Sequence, residues 1–457
     1  MTDTFPTVGF GRTHFGGVDL GDARVNRRLV DLADILVLSG ADGLPDQLAD
    51  PADYRAFNRI VGRPEATHAA VTAPHRTHTL GRMAAHPGTV LVLHDTTELD
   101  YSGRALPRMG PIGNGSGIGW ECHNTLAVDA DTGAVLGLVA QTLHRRPPTR
   151  SNRGETKDQR RQRLDRESRL WVTGLGAVGP TPQSRHWVHV SDRGSDTFEY
   201  LSALVAGPHA FVVRSRHDRA LLGGDTLHAR LRAEPPAAGW SGQVRCGPHG
   251  GSTRSADLSA AWTRVTLPDP YGSAAAVTVW ALRVWEPNPP SGVEPVEWFL
   301  LTDRALDAAG APRAVAGWYC RRPVIEEYHK CLKTGCGVER LQHRTPETLS
   351  AAVGVLSVVA VGLLGLRDVA RDPSRQEEPA APLVGPAAVE ALSAWRTARP
   401  DPNWSAQAFV QALGRLGGHM NRRRDGPPGW LTLWRGLRKL QPMIQLLRNA
   451  RPTYGTT

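Results

Sequence analysis

An α/β protein with helical flanks is the class this chain predicts, and three observations predict it. Residues 1 to about 80 carry apolar side chains at helical spacing, short β-branched runs begin at Thr89, and helical texture returns beyond about residue 387. A chain of 457 residues has room for two or three domains and a substantial core. The expected boundaries are a helical domain at 1–80, an α/β domain at 81–371 with a β-rich insertion at about 219–297, and a helical region at 387–457.

The first helix with a clear start follows Gly21-Asp22, with Val25, Leu29 and Leu32 on one side and Arg24, Arg27 and Arg28 on the rest. Arg55 and Arg59 repeat the basic theme on the next helical stretch. Val90-Leu-Val-Leu-His-Asp95 then reads as a strand ending in a charged turn. Thr125 to Gln141 reads as a hairpin turning at Asp131-Thr-Gly133, and Ser151 to about Leu175 as a charged helix. His186 to Asp192 and Phe211-Val-Val-Arg214 follow as strands. The β-rich stretch that comes next includes Ala275 to Trp285, and the strand beginning at Trp298 leads into a helix. The run Ala351 to Leu366, broken by Gly and Ser, falls short of the ~20 residues that span a bilayer, so it predicts a buried helix. Asp372-Pro-Ser-Arg-Gln-Glu-Glu-Pro-Ala-Ala-Pro382 reads as a linker.

The formal charge is +10 and the isoelectric point about 9.8, which favours a polyanionic partner, nucleic acid before a membrane surface. The opening Met-Thr-Asp-Thr-Phe-Pro has no basic stretch followed by apolar residues, so no secretory signal is expected. Five cysteines, at 122, 246, 320, 331 and 336, fit reduced thiols in the cytoplasm. His329, Cys331 and Cys336 lack zinc-ligand spacing and an evident fourth ligand, so buried thiols are expected there.

The most informative stretch runs from Gly317 to Lys333. Tyr319, Arg322, Glu326 and Lys333 stand at offsets of three, seven and fourteen, which on one helix fall at roughly 300°, 340° and 320°. That stripe carries a carboxylate able to hold a divalent metal, and cations and a phenol able to grip phosphate oxygens. Pro323 interrupts it: lacking an N–H, it belongs in the first turn of a helix, so Tyr319 and Arg322 are expected to precede the helix and the stripe to hold only for Glu326, Lys330 and Lys333. Asp95 and Asp192 each follow an apolar strand, where a sheet fixes a carboxylate yet leaves it open to solvent. Asp95, Asp192 and Glu326 together would make a cluster suited to two Mg²⁺ ions about 3.5–4 Å apart.

Taken together, these motifs resemble the DDE transposases of the bacterial cut-and-paste class, the IS-four/Tn-five group, whose helix carries a Tyr-Arg-Glu-Lys pattern. The resemblance spans nearly the whole chain. It rests on Leu20-Gly-Asp, His94-Asp-Thr-Thr-Glu-Leu-Asp-Tyr101, Gly110 to Gly117, Ser191-Asp-Arg-Gly-Ser-Asp196, the Gly317–Lys333 stretch, Leu416 to Trp430, and Leu433-Trp-Arg-Gly-Leu437. It implies an RNase H-like catalytic core with a β-rich insertion, flanked by an N-terminal DNA-binding domain and a C-terminal dimerisation region. It implies Asp95, Asp192 and Glu326 as catalytic metal ligands for two Mg²⁺, with Mn²⁺ able to substitute. Tyr319, Arg322, Lys330, Lys333, Arg214 and the N-terminal Arg24, Arg27 and Arg28 are then DNA-binding, and Trp298 stacks on a flipped base. Pro323 stands where close relatives often carry a Trp that helps the hairpin bend.

The implied reaction is a series of in-line phosphoryl transfers. One strand at the transposon end is hydrolysed, the freed 3′-hydroxyl attacks the opposite strand to give a hairpin, the hairpin opens, and the 3′-hydroxyl joins target DNA. The implied partners are double-stranded DNA, as terminal inverted repeats and target, and a second copy of the chain in a synaptic dimer. No membrane partner is expected, and the implied location is the bacterial cytoplasm, at the nucleoid. Two alternatives keep parts of this picture: a nuclease on the same core without strand transfer, and a catalytically silent DNA-binding derivative.

Overall fold

A computed structural model describes residues 8–450 apart from 105, 108, 114, 148–153, 155, 157–158, 160–162, 164, 183–185, 247–251, 273 and 423–424. The chain divides into two compact bodies that are discontinuous in sequence. One comprises Met1–Ala85, Thr96–Thr156 and Val324–Thr457, and the other His86–Asp95 and Lys157–Pro323.

In chain order the strands are β1 (Thr89–Asp100), β2 (Gly110–Ile112), β3 (Gly117–Asp129), β4 (Val135–His144), β5 (His186–Ser191), β6 (Ala210–Arg214), β7 (Ala238–Cys246), β8 (Ser252–Leu267), β9 (Val277–Trp285) and β10 (Glu297–Thr302). The second body holds a mixed sheet in the order β1, β5, β6, β10, β9, β8, β7. Its first three strands are parallel, with Thr89–His94 opposite His186–Ser191 and Val188–Ser191 opposite Ala210–Val213. The rest pair antiparallel, and β7, β8 and β9 are the β-rich stretch expected between 219 and 297. One face of this sheet, including Phe211, Val265, Val279, Ala281, Phe299 and Leu301, packs with Tyr200, Leu201 and Leu231 into a buried core.

The first body is helical apart from β2, β3, β4 and the far half of β1. Its N-terminal helices run Phe10–Phe15, Ala23–Ser39, Leu44–Gln47, Pro51–Val61 and His68–Ala85. Asp22 caps the second of them by accepting from the Arg24 N–H, the start anticipated from Gly-Asp. The hairpin turns as expected, with Gly133 at φ 75° between β3 and β4. Pro346–Arg371 is long and apolar enough to cross a membrane by length and composition, yet 94% of its most apolar window is buried inside the protein. At Gly354 the helix lies close against the 68–85 helix: a Cβ there would stand 2.8 Å from the Val71 side chain.

Three expectations differ. Asp95 does not end its strand, because β1 continues to Asp100; only the parallel pairing with β5 stops, at His94. The 372–382 stretch is no free linker: Arg375 is buried against Glu378, and backbone bonds from Ala380 to Trp404 and from Ala406 to Glu378 tie it down. The charged helix expected over 151–175 lies partly outside the described residues; among the described ones a helix runs over Arg169–Gly176.

Several buried histidines make stability depend on pH. Burial, with His78 and Arg82 nearby, pushes His75 down to about 3, and burial pushes His123 to about 3. Burial and His209 hold His189 well below its usual value of 6.5. His189 sits between His94 at 2.7 Å and His209 at 2.8 Å, ring nitrogen to ring nitrogen. The His75, His123 and His189 rings stay neutral in the folded chain, whereas in the unfolded chain they take up protons below about pH 6.5. The stabilisation is therefore complete above that pH and lost as pH falls, by up to ~1.4 kcal/mol per pH unit for each histidine. Urea unfolding should show a lower midpoint at pH 5 than at pH 7.5; equal midpoints would contradict this account.

Candidate active site

The parallel register of β1 and β5 determines where the acidic residues meet. Because His94 lies opposite Ser191, the next residues, Asp95 and Asp192, come side by side at the carboxyl end of the pair. A single guanidinium nitrogen, Nη2 of Arg322, donates to both, at 2.8 Å to Asp95 Oδ2 and 3.2 Å to Asp192 Oδ2. The three side chains are only partly accessible, 15% for Arg322, 13% for Asp95 and 29% for Asp192.

Local bonds hold each partner in position. Asp192 Oδ1 accepts from the Gly194 N–H at 2.8 Å and so caps the short 3-10 turn Arg193–Ser195. Ser195 Oγ bonds Ser191 Oγ and the Asp192 carbonyl, both at 2.8 Å. The second acid of this motif, Asp196, is a buried anchor that the sequence reading passed over. It accepts from the N–H groups of Arg216 and His217, at 2.7 and 3.1 Å, from Ser215 Oγ, and from Arg219. The signal was present in the sequence: two acids four residues apart straddle a Gly-Ser turn, and only the first was assigned a role.

Arg322 sits where one helix stops. The helix Ala311–Cys320 ends in a turn, with the N–H groups of Arg321 and Arg322 bonded to the carbonyls of Trp318 and Tyr319, and a new helix begins at Pro323. Pro323 is thus the first residue of a helix, the position its missing N–H suits. Tyr319 is buried against Trp298, edge to face at 5.7 Å, and burial raises its phenol above the ordinary value while Arg214 and Arg322 act to lower it. Arg214 Nη1 donates to the Tyr319 hydroxyl at 3.4 Å, and its guanidinium lies 5.8 Å from the ring centre. Trp298, Arg214, Tyr319, Arg322, Asp95 and Asp192 therefore all belong to the second body.

Glu326, Lys330 and Lys333 belong to the first body. Glu326 is half-buried in the first turn of the helix Pro323–Lys330, and Lys330 is exposed at its last residue. Lys333 lies in a π-helical segment, Cys331–Gly335, and pairs with Glu339 at 3.0 Å. The Tyr319–Lys333 stretch is thus three pieces rather than one helix, and the stripe expected for Glu326, Lys330 and Lys333 is interrupted by the π segment, whose wider turn shifts the phase. Cys331 and Cys336 are buried, with burial raising both thiols, and His329 Nε2 lies 3.1 Å from Asn124 Nδ2.

Asp95 and Asp192 present hard oxygen donors already converged on one cation, which fits Mg²⁺ or Mn²⁺ held by one or two carboxylates together with substrate phosphates. Among the described residues no group of three or more His, Cys, Asp or Glu side chains is gathered to hold a metal.

On the N-terminal helices Arg24, Arg27, Arg55 and Arg59 are exposed. Arg28, expected among the DNA contacts, is half-buried and ion-paired with Asp53 of the neighbouring helix.

Residues 9–65 match the family model described as transposase DNA-binding. The matched segment contains all five of those arginines. Among solved structures the chain is similar to piggyBac transposase in a cryo-EM synaptic complex with hairpin DNA, at 12% identity. That match covers 99% of this chain and 83% of the other, with a TM-score of 0.41.

Proposed function

We propose that the protein is a DNA transposase that cuts the ends of its own element and joins them to target DNA. The observation that carries this reading is the meeting of Asp95 and Asp192 where the parallel pairing of β1 and β5 stops, in a chain whose residues 9–65 match a transposase DNA-binding family model. The parallel trio β1, β5 and β6, and the β3–β4 hairpin that follows β1 in sequence, support an RNase H-like core.

In this reading Asp95, Asp192 and Glu326 are the metal ligands. Divalent ions bound there supply activation of the attacking hydroxyl and charge stabilisation at the leaving oxygen of an in-line displacement. The protein's own side chains bind and orient the DNA. Arg214 and Arg322 are fixed cations for phosphate oxygens, and the Tyr319 hydroxyl is a neutral donor beside them. Lys330 and Lys333 add charge along the backbone. Trp298, packed on Tyr319, is the ring on which a displaced base stacks near a hairpin end. Arg24, Arg27, Arg55 and Arg59 carry repeat binding through phosphate contacts. Synapsis by a homodimer in the cytoplasm completes the proposal.

The test is excision and joining. A plasmid carrying a marker between the inverted repeats that flank the gene is incubated with the protein, Mg²⁺ and a target plasmid. The expected result is marker loss from the donor and its covalent recovery in the target. Cut ends never joined would favour a plain nuclease, and repeat binding without cutting a silent derivative.

A further inference from the structure

We propose that Arg322 is a resident counter-ion of the Asp95–Asp192 pair, which a divalent metal must displace, and that this displacement frees the guanidinium for a DNA phosphate. The inference rests on the metal-site reading above and adds an order of events to it.

The geometry makes the competition direct. Asp192 Oδ1 already accepts from the Gly194 N–H at 2.8 Å, and its Oδ2 is the oxygen that Arg322 holds at 3.2 Å. The same Nη2 occupies Asp95 Oδ2 at 2.8 Å. One cationic nitrogen thus sits between two carboxylates where an oxygen-seeking cation would sit, and two like charges without a cation between them repel. A guanidinium cannot vacate the place by losing its proton, because it stays charged at any physiological pH. It has to move.

The backbone around Arg322 is built so that only the side chain would move. Its N–H is bonded to the Tyr319 carbonyl at 3.0 Å, and the next residue is Pro323, whose ring fixes φ at the start of a new helix. Tyr319 and Arg214 lie beside the swinging guanidinium and offer a second donor set for the same phosphate. Lys333 shows the same economy in the first body, where Glu339 holds it at 3.0 Å. Without DNA, both of these phosphate-gripping cations rest on the protein's own carboxylates.

Mn²⁺ binding to the full-length, DNA-free protein, read by the loss of free-ion EPR signal, tests this directly. Arg322→Gln should bind Mn²⁺ about 10- to 100-fold more tightly than wild type, the range set by removing a charge-assisted bond to the ligand oxygens. Arg322→Lys, which keeps the charge but cannot fork across both acids, should fall between the two, and decides the matter if the Gln variant does not fold. Equal or weaker Mn²⁺ binding by both variants would overturn the proposal while leaving the metal site standing. No Mn²⁺ binding by wild type or either variant would sink the metal-site reading itself, and the proposal with it.

Discussion

Asp192→Asn is expected to abolish DNA cutting while leaving the fold and repeat binding intact. An asparagine keeps the oxygen that caps the Arg193–Ser195 turn through the Gly194 N–H, so the local structure has no reason to change. What it removes is the negative charge that faces Arg322 and that the proposed function assigns to the metal. Replacing a group one shell out from a metal commonly costs 10- to 100-fold, so loss of a direct ligand should cost at least about 100-fold in cleavage rate. Asp95→Ala should do the same. The change in stability should be small, within about 1 kcal/mol, because the Arg322 pairs are partly solvated. Single-turnover cleavage of end DNA, with thermal melting as the folding control, separates the two effects. Wild-type cleavage by Asp192→Asn would show that this carboxylate's charge is not needed.

The largest expected effect on stability lies in the other body. Arg367, on the long buried helix, is 1% exposed and pairs with Glu327 and Asp368. Asp368 in turn accepts from the Val135 N–H at 2.8 Å, tying the helix to the start of β4. Burial already pushes the Asp368 carboxyl upward, and Arg367 opposes that push. Arg367→Met fills similar space but leaves a buried acid without its cation. Breaking a buried pair from one side costs about 3–5 kcal/mol, so the urea midpoint should fall steeply. A double variant, Arg367→Met with Asp368→Asn, should recover part of that loss, since it removes the stranded charge. A single variant as stable as wild type would show that the pair contributes nothing.

What the sequence revealed and what it hid divide along a physical line. The place of Asp192 just past a strand was legible because a β-branched run, an acid and a Gly-Ser turn are all local. So was the helix break at Pro323, which follows from one missing N–H. The buried helix at 346–371 was legible from its composition and its Gly and Ser interruptions. The course of β1 beyond Asp95 was not, because Thr96-Thr-Glu-Leu-Asp100 alternates too weakly to announce a strand. The pairing of Arg322 with acids 227 and 130 residues away has no local signature either. Arg28 looked like its neighbours Arg24 and Arg27, and only the packing of two helices commits it to Asp53. The Pro- and Glu-rich stretch after Asp372 looked like a linker by composition, yet backbone bonds with Trp404, Ala406 and Gln407 tie it down.

Cleavage of labelled DNA bearing the element's terminal repeat, with Mg²⁺ or with EDTA, tests the central claim most directly. The account predicts a break at the repeat boundary, leaving a 3′-hydroxyl, with Mg²⁺ or Mn²⁺ present and none in EDTA, and its loss in Asp95→Ala. Equal cleavage in EDTA, or no cleavage with either ion by protein that binds the repeat tightly, would contradict it.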